Sequence, residues 1–381
     1  MRFPGNPLGE PRWFGRRRWT LLENRKSDHV RIAIESGQSS APRPISFDQV
    51  HLINDPLSDI SADDVDLSTE FLGKKISMPL IISCMTGGFE GALGINRELA
   101  LAAKSQHLPI GVGSVRAGLE DDKLRPTFSI VRKVAASVPI ISNIGAQQLI
   151  GGGLEMAKRA VDMVSGDALA IHFNRVQEAI MPEGEMRMKG MRSALKRIVR
   201  GLRVPCIAKE TGAGVSKEAT RSFKEIGFKF VDVAGEGGTS FASIETRRAI
   251  EAGDEEKASL GRLYSDWGIP TAASIIEATS VPGVKIIGSG GITNGLDAAR
   301  ALVLGADYVA VARPILERVV KGGSASAISW IKGFSKEMKV AMLLVGADDI
   351  SSLRRKPAVI TGNLYAWAKL RKLDVERYSN R

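Results

Sequence analysis

From position 78 onward, short apolar runs alternate with longer stretches in which apolar residues recur every third or fourth position. The runs fall at 80–83, 109–112, 140–143, 168–173, 206–209, 230–233, 285–288 and 308–311. Continuous apolar runs of this length suit strands buried on both faces, and the stretches between them, such as 96–106, 154–164, 216–226 and 295–304, carry helical spacing. Eight strand–helix units in succession predict an α/β fold, a (β/α)8 TIM barrel closed on itself rather than an open sheet. The longer insert at 237–282 holds a charged piece, 251–262, expected as loop or exposed helix, and the chain from 329 is expected to end in a helical tail. Residues 1–23, with Pro4, Gly5, Pro7, Pro11 and a GRRRW run, lack periodicity and read as a basic N-terminal extension to one domain at 24–381.

Glycine and polar residues cluster directly after each run, at the end where barrels build their active sites. MTGG (85–88), GSVR (113–116), SNIGAQQ (142–148) and HFNRVQE (172–178) follow the first four; KETGAG (209–214), AGEGGTS (234–240), GSGG (288–291) and ARP (312–314) follow the others. A turn would explain one such motif, but eight in the same phase predict a ligand-binding rim. In the seventh, Gly290 and Gly291 leave backbone amides bare just before a helix start, which suits a phosphate dianion. The loops after strands seven and eight are where such barrels hold phosphate.

Composition narrows the class. With 44% hydrophobic and 25% charged residues, the 381-residue chain reads as a soluble globular protein, and no apolar run is long enough to predict a membrane span. Its two cysteines, Cys84 and Cys206, flank strand-like runs and suit reduced thiols in a cytoplasmic protein. The net charge of +11 sits at the ends: residues 1–31 hold eight Lys/Arg against three Asp/Glu, residues 354–381 eight against two, and the middle is neutral. A groove for nucleic acid would cross the body of the fold, so no nucleic-acid partner is expected.

Lys209 ends the fifth run, where a cation would meet an electron-rich ring or an anionic oxygen. Asn143 and Ser114 offer neutral hydrogen bonds at neighbouring strand ends, and Met85, Thr86 and Gly87 offer amides against a flat face. Together with a phosphate site this suits FMN; the plainer alternatives pair Lys209 with Glu210 and make Asn143 a turn cap. His172, Asn174, Gln177 and Glu178 form the densest polar group, and the lone carboxylate of Glu178 suits an Mg²⁺ shared with a substrate diphosphate. Arg25, Lys26, His29 and Arg116 are the cations available for such an anion. Arg25 and Lys26 precede the barrel and must fold over its mouth or reach a neighbour's.

RKSDHV (25–30), MTGG, GSVR, HFNRVQE, KETGAG, GTSFASIE (238–245), DWGIPTAAS (266–274), the stretch 285–314 and PAVITGNLYAW (357–367), in that order, resemble the type II isopentenyl-diphosphate isomerases from about residue 24 to 370. The resemblance implies a barrel that uses FMN, reduced by NAD(P)H with NADPH the expected donor, and Mg²⁺ to interconvert isopentenyl and dimethylallyl diphosphate. It implies flavin contacts at Met85, Thr86, Gly87, Ser114, Asn143 and Lys209, then at Thr239, Gly290, Gly291, Thr293, Ala312 and Arg313. Substrate contacts fall on Arg25, Lys26, Ser114, Arg116 and Gln177, with His29, His172 and Asn174 nearby, and the metal ligand on Glu178. Gln177 is expected to order the reacting end of the substrate and His172 to support it, while the reduced flavin handles protons. A homo-oligomer, tetramer or octamer, is also implied.

Four positions depart from the family pattern: Arg175 replaces a proline, Ala213 an aromatic, and Glu236 and Thr293 stand where arginine is usual. Loss of a cation at 293 shifts the phosphate onto backbone amides or Arg313. The FMN-dependent α-hydroxy-acid oxidases, a rival on a similar barrel, need a histidine base in the region matching 234–238, whereas the only histidines here are His29, His51, His107 and His172.

Overall fold

In the computed structural model, which describes residues 21–35, 45–181, 184 and 188–381, all eight apolar runs become parallel strands. They are β1 (Leu80–Ile82), β2 (Ile110–Gly111), β3 (Ile140–Gly145), β4 (Ala168–Phe173), β5 (Cys206–Glu210), β6 (Phe230–Asp232), β7 (Lys285–Ser289) and β8 (Tyr308–Val311). The strands pair in chain order and close when β8 pairs with β1, Val309 opposite Leu80.

Strand alternation divides the core in two. Leu80, Ile82, Ile110, Ile140 and Val309 face outward into the large cluster beneath the helices, while Ile81, Ile141, Ala168, Ala170, Ile207, Ile287 and Ala310 face inward. The inner cluster is completed from below by a hairpin, Thr69–Phe71 paired with Lys74–Ile76. Phe71 lies edge-on to Tyr308 at 4.9 Å, and the Tyr308 hydroxyl donates to the Glu70 carbonyl at 2.7 Å. The N-terminal end of the barrel is thus filled with side chains, which leaves the C-terminal end as the place for a cavity.

The helices extend beyond their sequence-based bounds where glycine interrupts the pattern. The helix expected at 154–164 is Ala146–Val164, broken at Gly153 (φ 58). The charged piece at 251–262 belongs to two helices, Phe241–Ala252 and Glu255–Leu263, separated by Gly253 in the left-handed region and Asp254, whose carboxylate caps the second. The tail is helical as expected, Arg313–Leu344 with a break at Gly322–Gly323, and a strand, Ala358–Ile360, returns to pair with Val50–Leu52. Residues 1–20 of the expected extension lie outside the described residues; at Leu21 the chain is already helical, and that helix runs to Glu35. Among the described residues no helix is long and apolar enough to cross a membrane.

Candidate active site

The C-terminal ends of the strands surround a cavity of about 250 Å³. Every residue that the sequence offered as a flavin, substrate or metal contact lines it except Gly87, whereas the departures Arg175, Ala213 and Glu236 do not. A Cβ on Gly87 would stand 2.0 Å from the Phe128 ring at φ +146, so glycine is needed there to let that ring pack beneath the loop.

One end of the cavity is built from glycine loops. A Cβ on Gly290 (φ +108) would meet the Gly235 carbonyl at 2.2 Å, so the loops after β6 and β7 touch backbone to backbone. Thr271 Oγ1 ties them by donating to the Gly290 carbonyl at 2.6 Å. The helix Arg313–Leu344 begins at the same place, with Ala312 as its N-cap and its first turn short of intrahelical acceptors. Arg313, only 9% exposed, lines the same end of the cavity with Glu317 at 3.5 Å.

Midway round the rim, Lys209 pairs with Asp232 at 2.8 Å rather than with Glu210, and Asp232 also accepts from Ser289 Oγ. Burial pulls the Lys209 pKa down, but Asp232 outweighs it and the ammonium is held above its usual value. Glu210 folds back to accept from the amides of Thr211, Gly212 and Ala213 at 2.5, 2.7 and 2.6 Å, while burial pushes its carboxyl up to about 7 against those bonds. Asn143 is no turn cap: its Oδ1 lies 2.8 Å from His172 Nδ1. Burial, then Lys26, Lys209 and Arg25, press His172 down to about 3, so the ring is neutral at physiological pH. The Thr86 hydroxyl is buried in the cavity wall without a hydrogen-bond partner among the described residues.

The other end is cationic. The helix Leu21–Glu35 lies across the mouth of its own barrel and carries Arg25, Lys26 and His29 to it, with Arg116 opposite. Lys26 Nζ donates to the Ser114 carbonyl at 2.8 Å. Below these cations stands a residue to which the sequence reading gave no role, Glu245, fully buried on the helix Phe241–Ala252. It lies 2.8 Å from His29 Nε2, accepts from Gln177 Nε2 at 2.7 Å and takes Arg248 Nη1 on its second oxygen at 2.6 Å. Burial alone would raise its pKa; the contacts with His29, Arg248 and Gln177 outweigh it and keep the carboxylate ionised. Its signal was the last letter of GTSFASIE, where an acid on a helix reads as an ordinary solvated side chain.

Asn174 Nδ2 donates both to Gln177 Oε1, at 3.1 Å, and to Glu178 Oε1, at 3.0 Å. Gln177 is therefore held at both ends of its amide. Among the described residues no group of three or more His, Cys, Asp or Glu is arranged to hold a metal, so Glu178 stands as a single carboxylate. The remaining histidines lie elsewhere: His51 is exposed against Thr361, and His107 ends a helix in the left-handed region.

The chain matches the FMN-dependent dehydrogenase family over residues 20–121 and 178–360. It is 38% identical to the isopentenyl-diphosphate delta-isomerase of Methanothermobacter thermautotrophicus over 361 residues, covering 95% of this chain and 100% of the relative. It is 42% identical to that of Sulfurisphaera tokodaii, covering 94% and 97%. Among solved structures, a putative lactate oxidase of Pediococcus acidilactici aligns at a TM-score of 0.65 with 14% identity, covering 89% of this chain and 93% of the other. A mandelate oxidase with (S)-2-phenylpropionate aligns at 0.61 with 17% identity, covering 90% and 98%. At such identities the likeness is one of fold.

Proposed function

The chain belongs to the isopentenyl-diphosphate delta-isomerase family, and on that premise we propose that it interconverts isopentenyl and dimethylallyl diphosphate with reduced FMN and Mg²⁺, NADPH being the reductant. The observation that carries this reading is the two-ended cavity, a glycine cradle with Arg313 at one end and Arg25, Lys26 and Arg116 at the other. The cradle fits a flavin phosphate, since a Cβ at Gly290 or Gly291 would collide with the opposite loop, and the orphaned Thr86 hydroxyl awaits a polar partner.

Moving a double bond requires a proton added at one carbon and another taken from its neighbour. Reduced flavin supplies that proton transfer when bound. The chain's own residues bind, orient and neutralise. Arg25, Lys26 and Arg116 hold the diphosphate, and Glu178 would hold the magnesium, which would neutralise part of the diphosphate charge. Gln177, fixed between Asn174 and Glu245, aims its amide at the reacting end, and neutral His172 braces the wall through Asn143. The α-hydroxy-acid oxidase reading lacks its base, because no histidine follows β6 and neither cavity histidine lies in that loop. Assembly as a tetramer or octamer belongs to the same proposal and is read by sedimentation.

The test is dimethylallyl diphosphate formation with FMN, Mg²⁺ and NADPH, each omitted in turn, alongside flavin absorbance at about 450 nm that NADPH bleaches. Absence of product from the complete mixture would refute the reading.

A further inference from the structure

Arg25, Lys26 and His29 all sit on the helix Leu21–Glu35, which belongs to no strand–helix unit of the barrel. How well they are placed depends on how that helix is attached. It lies against the helix Phe241–Ala252, and four side chains between the two close a ring of alternating charge. Arg31 grips Glu251 with both terminal nitrogens, at 2.7 and 3.3 Å, and Glu251 also accepts from Arg247 Nε at 3.1 Å. Arg247 Nη2 donates to Glu35 at 2.6 Å, and Glu35 accepts from Arg31 at 3.3 Å, which completes the circuit. Arg248 and Asp28 form a further pair across the same junction at 3.7 Å.

None of the four ring residues lines the cavity. Their side chains are 31–43% exposed, so any one pair would be worth little, but a closed network with a bidentate arginine is the case in which exposed pairs count. The Glu251 carboxyl is held below its usual range, by Arg31 first and with Arg247 adding, against a burial effect that raises it.

We propose that this ring positions the substrate-binding cations: by clamping the helix Leu21–Glu35 in register, it sets the affinity for the diphosphate without touching it. The inference rests on the isomerase reading for the substrate's identity. Two edges of the ring lie within helices and two cross between them. Reversing both charges on one helix, as R31E/E35R or R247E/E251R, keeps the net charge and the within-helix edges but makes both crossing edges repulsive. Reversing all four restores every edge of the ring; R31E also sets a carboxylate beside Asp28, which Arg31 meets at 3.2 Å, so R247E/E251R is the double that perturbs the ring alone.

Inorganic pyrophosphate is titrated calorimetrically into the FMN-loaded protein, and KM and kcat for isopentenyl diphosphate are measured beside it. Each half-reversed double variant is expected to raise pyrophosphate Kd and KM about tenfold, with kcat within about twofold and flavin binding unchanged, because only the docked fraction of the helix has fallen. The quadruple variant is expected to recover most of that loss. Should a double variant fail to fold, E251Q removes the charge from one crossing edge and one within-helix edge and is expected to weaken pyrophosphate about threefold. Wild-type affinity in the double variants, or in E251Q where that variant stands in, overturns the proposal, as does a quadruple variant as weak as the doubles. Wild-type protein without turnover sinks the isomerase reading instead, and the pyrophosphate titration still decides the ring.

Discussion

Lys26 is the cation whose charge the fold makes most sensitive to pH. Burial, then Arg25 and Arg116, lower its pKa to about 7 against the pull of Glu120, while its Nζ donates to Ser114 and lies 5.9 Å from the centre of the Phe128 ring. A diphosphate selects the charged form. Its affinity is therefore full below pH 7 and falls about tenfold per unit as pH rises through that value, until the bound-state pKa is reached. Between pH 7, where half of Lys26 is charged, and pH 9 the loss from this residue is about fiftyfold, or ~2.3 kcal/mol. The same shift acts on the fold with a definite sign: the cost of the buried charge is fully present below pH 7 and is relieved as pH rises from 7 toward 10.5. Lys26→Arg is the control, since guanidinium stays charged throughout. Calorimetric titration of pyrophosphate at pH 8 in buffers of different ionisation enthalpy should show the wild type taking up about nine-tenths of a proton more per ligand than this variant. Equal uptake by the two proteins, or equal slopes of affinity against pH, would refute the reasoning.

Three further substitutions probe other parts of the cavity. Glu178→Gln should raise the Mg²⁺ concentration needed for half-maximal activity by at least about tenfold while FMN affinity is kept, and equal loss of both would remove Glu178 as the metal's ligand. Gly290→Ala puts a Cβ 2.2 Å from the Gly235 carbonyl at a left-handed φ, a strain of roughly 1–3 kcal/mol, and should yield protein depleted of flavin; normal flavin content would show that the two loops need not touch. Glu245→Gln leaves Arg248 without its buried counter-charge and should lower stability by about 3 kcal/mol in urea melts while worsening both kcat and KM; an unchanged midpoint would mean that Glu245 carries no buried charge.

The barrel was legible because strands buried on both faces must be apolar throughout, so each left an uninterrupted run. The rim was legible because every run ends in phase. What the sequence hid are the pairings that depend on register. Lys209 meets Asp232 because β5 and β6 set those two residues side by side, whereas the neighbour in sequence, Glu210, points to the other side of the strand. Glu245 needed the helix after β6 to be packed before its burial could be known. The hairpin that fills the barrel's lower end turns at Leu72 and Gly73, both at positive φ, and leucine is no turn signal. Among its described side chains, the helix over the mouth buries the apolar Val30 and Ile32 and half-buries Ile34, positions that alternate and so show no helical period.

The charge distribution explains how a barrel shared in outline with lactate and mandelate oxidases suits a redox-neutral reaction here. The arginines gather at the two ends, and between them the wall is lined by Met85, Asn143, His172 and Gln177, with one charge, the Lys209 ammonium paired to Asp232. Among the described residues, neither titratable side chain of that middle zone has its pKa near neutrality, since His172 is pressed down and Lys209 is held up. His172 is neutral down to about pH 3, and Glu245 is kept ionised by Arg248 and its hydrogen bonds. Among the described residues, the two groups whose pKa is moved to about 7 are engaged elsewhere, Lys26 against the Ser114 carbonyl at the cationic end and Glu210 inside its own loop of amides. A side-chain acid–base pair acting on the substrate's carbons would need members of matched pKa within reach of one another. On the proposed reaction this wall would hold the uncharged substrate end between the two cationic ends, and the chain's own residues would supply position and neutralisation while the bound flavin supplied the proton chemistry.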